Sequence, residues 1–221
     1  PEPVAQEADA APLAKTVGPF DISQVEGDEP LVDFGPIKLP YVQGMQINPL
    51  PHQNQLIGLR VILNNAAFEL GVFAAPRSGG AWAASAPAML EGFAQMGWKA
   101  QKVSLPEGDA VLATPPEGEE QLPSLTVGVE GPRWLLRVCY LGSAATDEAA
   151  RRSLDSVLHG IVIDRGSEAK APGDRLLLTL PAELVEQIAE QNEPVLEGMV
   201  SEDRDHLRIV NPAYSLLASA K

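Results

Sequence analysis

Apolar residues along this chain come in short runs bounded by proline, glycine and asparagine, and two different periods can be read from them. Leu56-Ile57-Gly58-Leu59-Arg60-Val61-Ile62-Leu63 and Phe68-Glu69-Leu70-Gly71-Val72-Phe73-Ala74 are rich in β-branched and aromatic side chains over five to eight positions, the signature of strands. Met45 to Leu50, Trp98 to Leu105 and Ala110 to Ala113 read the same way. The connections between these strands are too short for parallel crossovers, so the pattern predicts an antiparallel meander. Leu122 to Val129 and Arg133 to Leu141, separated by Glu130-Gly131-Pro132, form the clearest hairpin. Leu31 to Pro40 alternates apolar pairs with turn residues and predicts edge strands or an extended wrap.

The period changes to that of a helix in two places. Between Ala81 and Gly97, Trp82, Met89, Leu90, Phe93 and Met96 share one helical face. Pro87 inside this stretch predicts a start near Ser85, with Ser85 as N-cap and the proline in the first turn. From Thr146 to His159 a capping threonine, acids in the first turn and the stripe Leu154, Val157, Leu158 predict a second helix, ended by Gly160 and followed by the strand Ile161-Val162-Ile163. After a polar linker come a strand-like run, Arg175 to Pro181, and a short helix from Ala182 to about Gln191. The expected fold class is α+β, a mostly antiparallel sheet with flanking helices. The expected organisation is a flexible segment at 1–17, a single domain at 18–191 with its core between Pro30 and Ile163, and a tail at 192–221 that docks on the domain or on a partner. The first residue is proline rather than methionine, which leaves room for an upstream segment.

Composition narrows the function classes. The 221 residues are 45% hydrophobic, enough for a core, and no apolar run reaches the roughly 20 residues that span a bilayer. Thirty acidic against 16 basic side chains give a formal charge of −14, a field that repels phosphate backbones and disfavours nucleic-acid binding. Cys139 is the only cysteine, so neither an internal disulfide nor a zinc site of paired thiolates can form. A reducing, cytoplasmic setting fits, with Cys139 as a small buried thiol in an apolar strand.

A search for chemistry finds no phosphate loop, no dinucleotide fingerprint and no nucleophile elbow. His52, His159 and His206 stand far apart and outside any ligand pair, and the carboxylate clusters lie in loops and helix first turns. No catalytic residue, metal or cofactor is therefore assigned. Two features stand out. The turn Arg77-Ser78-Gly79-Gly80, between a strand and a helix, combines freed amides, a guanidinium and a helix N-terminus, which together suit an anion. Arg133 and Arg137, four residues apart in the hairpin, would share one strand face and converge with Arg77 on an acidic ligand. The plainer reading of all three is a structural turn and arginines paired with the chain's own acids. Trp82 and Trp134 read as core anchors or, if exposed, as a partner-binding surface.

The motifs Gly18-Pro19-Phe20-Asp21, Val32-Asp33-Phe34-Gly35 with Leu39-Pro40, Phe73-Ala74-Ala75-Pro76-Arg77-Ser78-Gly79-Gly80 with Trp82, and Gly131-Pro132-Arg133-Trp134 leading to Arg137 resemble, in this order, the actinobacterial family of unknown function numbered 3710. The resemblance covers Gly18 to Leu180 and implies a cytoplasmic protein without an assigned activity. The order of strands and helices is also similar to the sandwich of the Mog1 and PsbP group, whose members mostly bind partners. These readings lead to a non-enzymatic adaptor that binds an as yet unidentified protein. The alternative is a domain that holds a small anionic ligand at Arg77 to Gly80 with Arg133 or Arg137.

Overall fold

The computed structural model of the chain describes residues 18–25, 30–105 and 108–181. Its main element is a seven-stranded sheet, β4 (Gln46–His52), β5 (Gln55–Leu63), β6 (Ala66–Ala74), β10 (Trp134–Leu141), β9 (Ser124–Gly131), β8 (Gly108–Thr114) and β7 (Lys99–Leu105), in that spatial order. Every neighbouring pair is antiparallel. Local turn chemistry sets the register. Asn64 and Asn65 both adopt positive φ, 49° and 64°, the pair of angles a two-residue hairpin turn requires and asparagine tolerates, and Leu63 pairs with Ala66 across them. A smaller sheet, β1 (Phe20–Asp21), β11 (Val162–Ile163), β3 (Ile37–Pro40) and β2 (Leu31–Asp33), contains one parallel pair, β1 with β11.

Strand alternation divides the large sheet into two faces. On one, Phe68, Leu70 and Val72 of β6 and Trp134, Leu136, Val138 and Tyr140 of β10 are buried with Phe34, Ile37 and Leu39 of the small sheet. Ala144, Leu154, Val157 and Leu158, from the short helices α2 (Ser143–Thr146), α3 (Glu148–Arg152) and α4 (Asp155–Leu158), complete that core. On the other face, the helix α1 (Ala81–Gln95) lies over the β7–β8–β9 end, burying Trp82, Met89 and Phe93 with Trp98, Val111, Ala113, Leu135 and Cys139.

Several expectations are corrected. Helix α1 begins at Ala81, not near Ser85. Its N-cap is Gly80 at φ +81°, the Ala84 amide already bonds to the Gly80 carbonyl at 3.0 Å, and the Ser85 hydroxyl donates back to the Trp82 carbonyl. Pro87 therefore stands inside the helix, exposed, while buried Ala86 and Met89 on either side of it hold the helix to the sheet. The second helix, expected from a Thr146 cap, is instead two short helices, α3 and α4, after the separate α2, and its cap is Asp147: that residue is extended, and its carboxylate accepts from the Ala149 amide at 2.9 Å and starts α3. Arg133 is not a strand residue but a turn residue at φ +64°.

The run from Arg175 makes only isolated bridges, to Phe73 and Leu56, yet these extend the core. Strand β5 pairs with β6 only as far as Leu59 opposite Leu70. Beyond that point the 173–178 segment takes its place, through Gly173 N to Ala74 O, Ala74 N to Asp174 O and Leu176 N to Val72 O at 2.8 to 2.9 Å, then Leu178 N to Leu56 O. Leu176 and Leu178 are buried, so the core runs past Ile163. The segments read as 1–17, the helix at 182–191 and the tail at 192–221 lie outside the described residues.

Candidate functional site

The helix-side face of the large sheet carries charge where α1 does not reach. Along β6 this face presents Glu69, Gly71 and Phe73, and along β10 it presents Leu135, Arg137 and Cys139. Arg60 of β5 stands directly opposite Glu69, and its guanidinium donates twice to Glu69 Oε1, from Nε at 3.0 Å and from Nη2 at 2.5 Å. Glu69 is 1% exposed, and burial holds its carboxyl above the usual carboxylate range even against the Arg60 hydrogen bonds and charge. In register, Cys139 follows Glu69 and Thr126 follows Cys139, with the Thr126 hydroxyl donating to Cys139 Sγ at 3.4 Å. Cys139 is a buried thiol.

One step along the strands, Arg137 lies between Gly71 and Gly128, which leave space on both sides for a guanidinium. A Cβ on Gly128 would come within 2.5 Å of the Trp82 ring, so the indole closes the α1 side of this position. Arg137 is 4% exposed, and its Cζ lies 4.7 Å from the centroid of the Phe73 ring. Arg175 arrives on the 173–178 segment and places its own Cζ 4.7 Å from the same centroid, with Nη1 donating to the Ile57 carbonyl at 2.8 Å. The two guanidinium carbons are thus no farther apart than twice that distance. Cation–π attraction to one ring offsets part of what holding two like charges together costs. Arg60, Arg137, Arg175 and Glu69 thus bring three guanidiniums and a carboxylate to one sheet face in a protein of charge −14.

The Arg77 to Gly80 turn is exposed and leads directly into α1. Its anion position is filled from within. The Glu130 carboxylate, from the end of β9, accepts the Trp82 amide at 2.8 Å and approaches Gly79, so it satisfies the helix end that lacks a side-chain cap of its own. The Arg133 turn adjoins this one, since the Ala75 amide donates to the Arg133 carbonyl at 2.9 Å. Arg77 and Arg133 thus belong to neighbouring turns, whereas Arg137 lies four residues farther along β10, about 13 Å at the usual strand rise. Both tryptophans are inside. Trp82 donates from Nε1 to the Asp109 carbonyl at 2.7 Å, and Trp134, fully buried, donates to Asp21 Oδ2 at 2.8 Å. As core anchors they offer no ring to a partner in this state.

Asp21 ties the Gly18-Pro19-Phe20-Asp21 motif to the core. Burial pushes its carboxyl up, but hydrogen bonds from the Ser23 hydroxyl, the Trp134 indole and the Ser23 amide together hold it below the usual range. Asp33 of the next motif is also held low, because its bonds to Lys38 and the Gly35 amide outweigh burial. Among the described residues no group of three or more His, Cys, Asp or Glu is placed to hold a metal ion, and no helix is long and apolar enough to cross a membrane.

Sequence reading missed Arg60, Glu69, Phe73, Arg175 and Glu130 as members of these sites. The Arg60 to Glu69 pair had a signal, since the two positions are symmetric about Asn64-Asn65. Glu130 and Arg175 had none, because each reaches its partners through contacts far apart in the chain.

These elements define an α+β domain dominated by antiparallel sheet, with structural acids at its motifs and a cluster of arginines on one sheet face. The chain belongs to the family described as protein of unknown function (DUF3710), whose model matches residues 18–187. No match was found among curated proteins or among solved structures, and the likeness to the Mog1 and PsbP group is not confirmed.

Proposed function

We propose that this chain is a non-enzymatic protein-binding domain that recognises an acidic stretch of its partner at the Phe73 face of the sheet. The observation that supports this reading is the pair of guanidiniums on one phenylalanine ring, Arg137 and Arg175, with Arg60 and Glu69 on the same sheet face. A fold gains little from buried arginines that hydrophobic side chains of similar volume would replace at no loss, whereas planar guanidiniums suit recognition of carboxylates. Leu177, 42% exposed on the same side of its segment as Arg175, adds an apolar contact. A cytoplasmic setting belongs to the proposal and agrees with a single, buried cysteine.

The test is affinity purification of the full-length protein from its native host with mass spectrometry, run in parallel for wild type and Arg175→Glu. The reading expects a specific protein in the wild-type eluate that the variant loses while keeping its circular dichroism spectrum. Identical eluates from the two would refute it. A second reading, a small anion at Arg77 to Gly80 with Arg133, draws on the hydrogen bond that joins the two turns. Glu130 opposes it as an internal competitor, so the ligand would need to displace that carboxylate.

A further inference from the structure

We infer that the free edge of β7 is a strand-addition site, which takes an extended acidic segment of a partner protein as an additional strand of the large sheet. Strand β7 lies four strand spacings from β6, about 19 Å, so this surface is separate from the Phe73 face and independent of it. The two edges of the sheet are built differently. At one end β4 carries Pro49 and Pro51, and its register shifts between Leu50 and Pro51, features that spoil an edge as a template for pairing. At the other end β7 is seven residues without proline, in unbroken register with β8 from Lys99 opposite Thr114 to Leu105 opposite Gly108. Among the described residues it pairs with β8 alone.

Hydrogen-bond alternation identifies the groups on offer. Val72 and Ala74 spend their backbone groups on the 173–178 segment, so those of Phe73 point the other way, toward Leu135 of β10. Carried through β10, β9 and β8, the same alternation directs Gln101 and Val103 toward β8, opposite Leu112 and Ala110, and turns the N–H and C=O groups of Ala100, Lys102 and Ser104 outward. Charge then selects the occupant. Strand β7 bears Lys99 and Lys102, both exposed, and no acid. Three residues apart, the two lysines stand on opposite faces of the sheet. Lys102 meets Asp109 at 2.7 Å, but both side chains are half exposed, and such a bridge yields readily to a second carboxylate. A second copy of this chain is a poor occupant, because the antiparallel pairing that engages all three outward residues sets Lys102 against itself. The domain's net charge opposes an acidic segment only from afar, since exposed charges beyond about 8 Å are screened at physiological salt. The fitting segment has two carboxylates three residues apart, one for each face, and an apolar residue beside half-buried Val103.

The test titrates nitrogen-15-labelled full-length protein with a synthetic seven-residue peptide of valine and threonine that carries glutamate at its fourth and seventh positions, and follows amide hydrogen exchange residue by residue. Exchange at Ala100, Lys102 and Ser104 should slow at least about tenfold near saturation, because it then proceeds only from the unoccupied fraction, while Gln101 and Val103, already bonded to β8, change little. The same peptide with lysine in place of glutamate should protect none of them. Ser104→Pro removes one outward N–H and leaves the bonds to β8, so it should abolish the protection of Lys102. Lys99→Glu with Lys102→Glu keeps the backbone intact and should transfer binding to the lysine peptide. No protection of the three amides at millimolar peptide would overturn the inference, as would equal protection by both peptides. So would protection already complete before any peptide is added, which would assign the edge to another part of this chain or to a second copy.

Discussion

The same two strands, β6 and β10, build both faces of the large sheet, and the faces differ in kind. Toward the small sheet they present Phe68, Leu70, Val72, Trp134, Leu136 and Val138, a continuous apolar layer with every member buried. Toward the other side they present Glu69, Phe73, Leu135, Arg137 and Cys139, where charge is interleaved with the core. The first face lowers the free energy of folding by removing apolar area from water, at about 25 cal/mol per Å². The second gives up part of that gain, because desolvating Glu69 and Arg137 costs energy that pairing only partly returns. On the binding reading proposed above, the apolar face of these two strands serves stability and the charged face serves recognition.

Substitutions on the two faces should differ in size and in pH dependence. The largest effect is expected at the closed face, where Trp134→Ala removes a fully buried ring and the hydrogen-bond donor to Asp21 together. Urea unfolding should show a loss of about 3–5 kcal/mol. A loss below about 1 kcal/mol would mean that this face does not hold the domain together.

A smaller effect, about 1.5–3 kcal/mol, is expected for Asp21→Asn at neutral pH, from the bonds the ionised carboxylate accepts. The sign follows from linkage. Asp21 is held below its unfolded value, so its contribution is present above the unfolded pKa and is lost as pH falls through the folded one. Stability of the variant should therefore fall less than wild type on acidification, a difference readable from thermal melts across the acid range.

Glu69→Gln tests the charged face and should give the smallest change, with the opposite pH dependence. Burial raises the Glu69 pKa, so what that residue contributes is fully present below the unfolded value and declines as pH rises through the folded one. The melting temperature of the variant should gain on wild type between about pH 4 and neutrality, the span above the ordinary glutamate pKa. A variant that instead loses ground over that span would show that the Arg60 pair more than compensates burial.

Much of the fold was legible because its signals are local. Asn64-Asn65 announces the β5–β6 hairpin, Gly131-Pro132 announces the β9–β10 hairpin, although Gly131 pairs with Trp134 and the turn is Pro132-Arg133 rather than 130–132, and Trp82, Met89 and Phe93 mark the buried stripe of α1. What sequence reading misplaced depended on distant partners. Pro87 argued for a late helix start, but a carboxylate 48 residues beyond Trp82 supports the early one. Arg133 and Arg137 looked like companions by strand parity, but positive φ at Arg133 turns it toward Ala75, and Arg137 finds Phe73 and Arg175 instead. Two glycines at the turn suggested a vacancy for an anion. The vacancy was filled by the protein itself, through a glutamate that no spacing rule connects to Trp82.

The most direct test of the division between the faces is a paired measurement on Arg137→Met in the full-length protein, unfolding free energy from urea titration alongside recovery of the captured partner. The account predicts a variant that still unfolds cooperatively and no longer retains the proposed partner. A variant destabilised by several kcal/mol that still retains the partner would contradict it and make Arg137 a structural residue.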